Sequence, residues 1–393
     1  MKRGQLVWVL LVLLLCSILL VSCSNDEPEQ TSEPETEKSK EEKTTEPEKE
    51  PKKPEVIHKE ISFSAIGDML IHNSVYEDAQ TASGYDFMPM LERVKPYLNN
   101  TTITFANQET MIGGIELGLS SYPTFNSPYA VGDALKKVGV DVVSLANNHT
   151  LDGGEAAIQS AIEHWEKIDM MYTGAYKNEA DSNNIRVYET DEGISVAFLA
   201  YTYGTNGIPV PEGKDYLVNL IDKELMAADI KKAKEQADAV VLSMHFGDQY
   251  IRLPNDEQKD IAQFAADHGV DVVLGHHPHV LQPIDWVEGE DGNKTLVAYS
   301  LGNFLSGQDE FYRRIGGIFK FSIHKTIKGE EETIEVTSPK LQPTFVKFHN
   351  WANYEVIPMY QLTNDELDNA QEHYQEIKAH MSQWVPELEF IEG

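Results

Sequence analysis

Asp271-Val272-Val273-Leu274-Gly275-His276-His277-Pro278-His279 is a short β-branched run that breaks at a glycine into three imidazoles within four residues. A run of this length bounded by Gly and Pro reads as a buried strand. Pro278 stiffens the loop that follows, and the His-x-His spacing puts His277 and His279 on the same side of an extended chain. Neutral imidazole is a common ligand for transition-metal ions, so the stretch reads as a strand that delivers metal ligands at its carboxyl end.

The same logic recurs along the chain. Apolar runs at 61–66, 102–106, 141–145, 195–200, 239–243 and 295–299 read as further strands, and segments with helical spacing at 130–138, 155–168, 223–237 and 257–268 lie between several of them. Strands alternating with helices imply a mostly parallel, helix-covered α/β sheet. After Gly316 the pattern changes to two-residue alternation at 318–323, 333–336 and 344–348, the signature of an antiparallel extension, and 364–382 reads as a terminal helix.

Polar clusters follow the strands almost every time. Gly67-Asp68 with His72 follows the first, Asn107-Gln108-Glu109 the second, Asn147-Asn148-His149 with Asp152 the third, and His245-Phe246-Gly247-Asp248-Gln249-Tyr250 the strand at 239–243. In open α/β sheets the ligand crevice lies at the carboxyl ends of the strands, so these clusters converge on one site. Each has a plainer reading alone: Asp68 after Gly67 is a turn former, and Asp152 is an N-cap for the helix starting near Glu155. Asn148 and His149 resist such a reading, because buried polar groups need partners.

The amino terminus sets the compartment. Lys2 and Arg3 precede the uncharged apolar run Leu6–Val21, a signal-peptide pattern shorter than the ~20 residues needed to span a bilayer. It ends in Leu20-Val21-Ser22-Cys23, a lipobox that marks Cys23 for lipidation and residues 1–23 for the signal segment. Residues 24–60 are Glu, Lys, Pro, Thr and Ser with few apolar groups, which reads as a disordered charged tether. The expected location is the extracellular face of the cell membrane, held there by the lipid. Cys16 and Cys23 are the only cysteines, so no disulfide framework or cysteine metal site is available to the rest of the chain. Of the net charge of −32, +2 lies in Lys2 and Arg3 and −6 in the tether, leaving −28 on the remainder. Such an excess opposes binding to nucleic acid, and an anionic ligand would need local cations.

Taken in order, Gly-Asp after the first strand, Asn-x-Glu (107–109), Asn-Asn-His-x-x-Asp-x-Gly (147–154), His-x-Gly-x-x-Tyr (245–250), Gly-His-His-Pro-His-Val-x-Gln-Pro (275–283) and Tyr-Ser-Leu-Gly-Asn-Phe (299–304) resemble the CapA-type poly-γ-glutamate capsule biosynthesis family, itself similar to calcineurin-like metallophosphoesterases. The resemblance implies a metallophosphoesterase-like four-layer α/β/β/α sandwich over residues 61–350, with 351–393 a helical extension of it. It implies a site for two divalent ions (Mn, Zn or Fe). Asp68, Glu109, Asn148, His245, His277 and His279 would be their ligands, Glu109 bridging, and His149 and Asp152 would be catalytic. Arg252, Asn303 and Arg314 are expected to contact substrate, and Arg313 belongs with them. The implied partners are poly-γ-glutamate, the membrane through the lipid anchor, and membrane capsule synthase subunits. Two departures stand out: His72 is four residues after Asp68 where metallophosphoesterases have Asp-x-His, and Gln249 stands where family members often have Glu. A hydrolase or transferase on the polymer and a non-catalytic polymer-binding assembly factor both remain open.

Overall fold

The computed structural model describes residues 55–393. The signal segment 1–23, the lipidation site Cys23 and most of the expected tether lie outside them.

Two sheets stack face to face. The first has nine strands, with the main order Ala352–Pro358, Glu331–His349, Ile315–Lys328, Val56–Leu70, Ile103–Asn107, Val142–Ser144 and Met171–Thr173; the short strands Asn303–Ser306 and Glu389–Phe390 pair alongside. The second has six: Leu281–Glu288, Lys294–Leu301, Val272–His276, Ala239–His245, Ser195–Thr202 and Arg186–Glu189. In both, the strands joined through helices run parallel, while hairpins such as Leu281–Glu288 with Lys294–Leu301 are antiparallel.

Side-chain alternation assigns each face. On the central strand, Ile61, Phe63 and Ala65 point into the layer between the sheets, meeting Phe198, Val241 and Leu274 from the second sheet. Phe63 lies 4.7 Å from Phe321 on its own sheet and 6.0 Å from Phe198 across the gap. Ile66 points the other way, into a core built on the helices Ala130–Val138 and Gly154–Lys167. The helices Lys223–Gln236 and Asp256–Asp267 cover the outer face of the second sheet through Met226, Ile230, Ile261 and Ala265. The layers therefore run helix, sheet, sheet, helix, the four-layer α/β/β/α sandwich that the resemblance implies.

Two boundaries move. The central strand starts at Val56, so 56–60 of the expected tether pair with Ile315–Lys328, Val56 opposite Lys328 and Glu60 opposite His324. Val56 and Ile57 are half exposed: pairing with a long neighbouring strand, not burial, orders this end, and composition could not signal it. The region from 351 onward is also more than a helical extension. It begins with the strand Ala352–Pro358 before the helix Ala370–Met381, whose Tyr374, Ile377 and Met381 close one edge of the layer between the sheets.

One irregularity aims the site. The pairing of the central strand shifts register around Gly67 and Asp68 on both of its parallel neighbours. A Cβ at Gly67 would lie 2.0 Å from the Gly302 carbonyl oxygen, so glycine alone lets the two backbones approach there. The Asp68 amide then donates to that carbonyl at 2.8 Å. A bulge of this kind re-aims the next side chain, and Asp68 turns into the crevice between the sheets' carboxyl ends.

Candidate metal centre

Strand ends from both sheets deliver the cluster. Asp68 ends the regular part of the central strand, Glu109 follows Ile103–Asn107, and Asn148 and His149 follow Val142–Ser144. His245 closes Ala239–His245, and His277 and His279 follow Val272–His276. All of these side chains are buried.

Glu109 lies at the centre. Its Oε1 is 3.6 Å from His245 Nε2 and 3.6 Å from His279 Nε2. Two triads share it, Glu109 with His245 and His277, and Asp68 with Glu109 and His279; within each, the offered ligand atoms lie within 4.8 Å of one another. Asp68 Oδ2 is 3.0 Å from His279 Nδ1, and Asp68 Oδ1 accepts from Asn107 Nδ2 at 2.8 Å. Asn148 Oδ1 sits 2.9 Å from His245 Nε2, beside the first triad. His277 and His279 adopt φ of 96° and 57°. Backbone strain of this kind in non-glycine residues gathers at functional sites.

The electrostatics match these contacts. Burial, then the charges of Asp68 and Asp152, push the Glu109 carboxyl well above the ordinary carboxylate range. Burial also raises Asp68, but its contacts with His276 and His279 outweigh that and hold it well below its usual value. Burial and the His277 charge push His245 far down, and burial with His279 pushes His277 to about 3. The neutral imidazoles that result are the form that ligates metal.

The residues present fit divalent cations. Both Glu109 oxygens, Nδ1 of His245 and of His277, and both His276 nitrogens are buried without a hydrogen-bond partner. Buried polar atoms are nearly always paired, and here the unpaired ones converge from several strands on the same pair of triads.

His149 and Asp152 form a pair beside the cluster. His149 Nδ1 lies 2.7 Å from Asp152 Oδ2, which also accepts from the Phe125 amide at 2.7 Å. Asp152 is therefore not a helix cap: the N-cap of Gly154–Lys167 is Gly153, with no side-chain cap. The Phe125 ring meets His149 edge-on at 4.7 Å. A cavity of about 380 Å³ opens against the pair, lined by Asn148, Asn206, Gln249, Tyr122 and Thr124 among others. A larger cavity, about 780 Å³, lies instead among Asp238, His268, Asp271 and Trp286, and none of the candidate ligands lines it. The smaller one is the candidate substrate cavity, because Asn148, His149 and Asp152 line it and Asn148 contacts His245.

Three of the four residues expected to touch substrate part company. Asn303 Oδ1 is 3.1 Å from His279 Nδ1, so it orients a candidate ligand. Arg252 is held by Glu376 at 2.8 Å over the Tyr312 ring. Arg314 donates from Nε to the Val346 carbonyl at 2.9 Å, with its guanidinium 4.4 Å from the centres of the Phe345 and Phe348 rings. The structure brings neither arginine into the cluster. His72 also stands apart: its Nδ1 is engaged by the Leu70 carbonyl and the Gly307 amide, and burial pushes it to about 4.

Several contributors carry no role in the sequence reading. His276 and Asn107 both bear on Asp68. The Tyr203 ring packs 4.6 Å from His277, and Asn206 accepts from Asn148 at 3.2 Å. Tyr203 and Asn206 follow the strand Ser195–Thr202, so the rule that polar residues after a strand end mark the site would have found them.

Comparison with known proteins agrees with the motif order. Residues 62–308 match the family described as bacterial capsule synthesis protein PGA_cap. The "PGA biosynthesis protein CapA" of Bacillus subtilis is 30% identical over 214 residues, 54% of this chain and 55% of that protein. The "capsule biosynthesis protein CapA" of Bacillus anthracis is 29% identical over 263 residues, 64% of this chain and 61% of that protein. The chain thus spans a little over half the length of the curated relatives it matches. Among solved structures, the calcineurin-like phosphoesterase YfkN of Bacillus subtilis aligns with 82% of this chain and 99% of that one, at 16% identity and a TM-score of 0.39. With the family match covering well over half of its residues, this chain belongs to the PGA_cap family of bacterial capsule synthesis proteins.

Proposed function

We propose that the chain is a capsule-biosynthesis lipoprotein, anchored through Cys23 on the extracellular face of the cell membrane, whose cluster holds two divalent ions (Mn, Zn or Fe) and acts as a hydrolase or transferase on poly-γ-glutamate. The observation that carries this reading is Glu109, fully buried, with both oxygens unpaired and shared by two ligand triads. The names of the two Bacillus relatives, a PGA biosynthesis protein and a capsule biosynthesis protein, support a role in making the polymer; membrane capsule synthase subunits are the partners this reading proposes.

Asp68, Glu109 and His279 would hold one ion, and Glu109, His245 and His277 the other, with Asn148 beside the second. Bound there, the ions would supply Lewis-acid polarisation of a substrate oxygen and an activated water. Asn107 and Asn303 fix Asp68 and His279 in place. Asp152 takes the Nδ1 proton of His149 as a hydrogen bond, which leaves Nε2 to pass a proton to or from a group in the adjoining cavity. Gln249 lines that cavity, and its amide cannot move protons, which favours the second reading of a polymer-holding assembly factor.

Elemental analysis of the purified chain, with turnover on γ-linked glutamate polymer measured with and without chelator, tests the proposal. Stoichiometric metal with chelator-sensitive cleavage or transfer is expected. Metal without turnover would move the function to polymer holding, and absence of metal would remove the proposal.

Cys23→Ser is expected to shift the protein from the membrane fraction to the soluble fraction or leave its signal segment uncleaved. Fractionation and the mature mass check this: a variant processed and retained like the wild type would refute the lipid anchor.

A further inference from the structure

An anionic substrate approaching Asp68 and Glu109 needs a cation from the protein as well as from any bound metal. The cavity in front of His149 does not supply one: its lining is amide, hydroxyl, aromatic and aliphatic apart from the His149–Asp152 pair, with no Lys or Arg. Four of the five described arginines are committed elsewhere. Arg93 pairs with Glu366 and Glu355, Arg186 with Asp181, Arg252 with Glu376, and Arg314 is bonded to Val346.

Arg313 differs in where it stands. Its guanidinium carbon lies 3.5 Å from the centre of the Tyr250 ring, and that ring is 6.1 Å from His279. The Tyr250 amide donates to the Pro278 carbonyl at 2.8 Å, tying it to the ligand loop, and Tyr250 takes a φ of 68°, a costly conformation for a bulky residue. Asn303 sits 3.1 Å from His279 Nδ1, and its Nδ2 donates to the Arg313 carbonyl at 2.8 Å. The contacts that orient His279 thus also place Arg313. Its Nε is buried and unpaired, and its only ionic partner among the described residues is Glu310, 3.0 Å away and mostly exposed. Surface pairs of this kind are weak, so an incoming anion can replace Glu310.

We propose that Arg313, held against Tyr250, anchors the anionic side of the substrate on the His279 side of the cluster, while the cavity at His149 receives a neutral, hydrogen-bonding part. A guanidinium offers paired donors that match a carboxylate or a phosphate. This rests on the reading of the cluster as a site for an anionic substrate.

The test is calorimetric binding of two probes, a γ-linked glutamate oligomer and inorganic phosphate, to the full metal-loaded chain, with metal content measured on each sample. Arg313→Gln is expected to weaken at least one probe by about 10-fold or more, the effect of losing a charged hydrogen-bond partner, with metal content unchanged. Glu310→Gln, which removes the competing carboxylate, is expected to tighten the same probe, and Arg313→Lys to restore part of the loss. Opposite signs at neighbouring positions cannot come from misfolding. An effect on the oligomer alone assigns a carboxylate, and one on phosphate alone assigns a phosphate. Equal affinity in wild type, Arg313→Gln and Glu310→Gln, or no binding of either probe by the wild type, overturns the anchor role. Metal content stands apart as the measure of the proposed centre itself.

Discussion

Glu109→Gln is expected to lower divalent-metal affinity by more than about 100-fold, beyond the ~10–100-fold that follows loss of an outer-shell partner. Size and shape are kept and the charge is removed from the one residue that belongs to both triads. The fold is expected to survive, because the metal-free protein gains little from this carboxylate: it is buried, unpaired and close to Asp68. Burial and the Asp68 charge raise its folded-state pKa above the ordinary 4.5. The metal-free folded state therefore binds a proton that the unfolded chain releases near that value, and its stability falls as pH rises above it. The Gln variant escapes this fall. Metal-free melting curves at neutral pH should place it at or above the wild type, while added metal should raise the wild-type Tm and leave the variant's unchanged. Stoichiometric metal in the purified variant would remove Glu109 from the centre.

The second large effect is expected at Asp152. Asp152→Asn should lower kcat by about 100-fold or more, within the ~10²–10⁴ range of proton-transfer catalysis, while KM and metal content stay near wild type. Among the described residues the carboxylate hydrogen-bonds no candidate metal ligand; its partners are His149 Nδ1 and the Phe125 amide. It is thus a positioning residue, acting through the imidazole. A relay of this form is non-additive: His149→Gln alone and the double variant with Asp152→Asn should lose the same activity. Steady-state kinetics decides it. Independent, multiplying losses would show that Asp152 acts by a route other than His149.

The fold was readable wherever burial is a local property. The strands read at 195–200, 239–243 and 271–274 are present as Ser195–Thr202, Ala239–His245 and Val272–His276, and the helices read at 130–138 and 223–237 as Ala130–Val138 and Lys223–Gln236. Strands such as Met171–Thr173 and Asn303–Ser306 carry no run of their own and exist because neighbours supply their hydrogen bonds. The same holds for Val56–Glu60, where tether composition continues into a paired strand.

A layered α/β protein with Asp, Glu, Asn and His delivered at strand carboxyl ends was legible in the pattern of residues, because apolar periodicity and the residues after it are encoded within a few positions of one another. The tertiary structure alone decided that Glu109 stands between His245 and His279, that Asp152 serves His149 and not a helix end, and that Arg314 lies against Phe345 and Phe348 while Arg313 lies on Tyr250. Those contacts depend on the register between strands far apart in the chain and on the close approach of Gly67 to Gly302. A spacing pattern reports which face a side chain takes, whereas the partner it meets there is fixed only when the sheets close on each other.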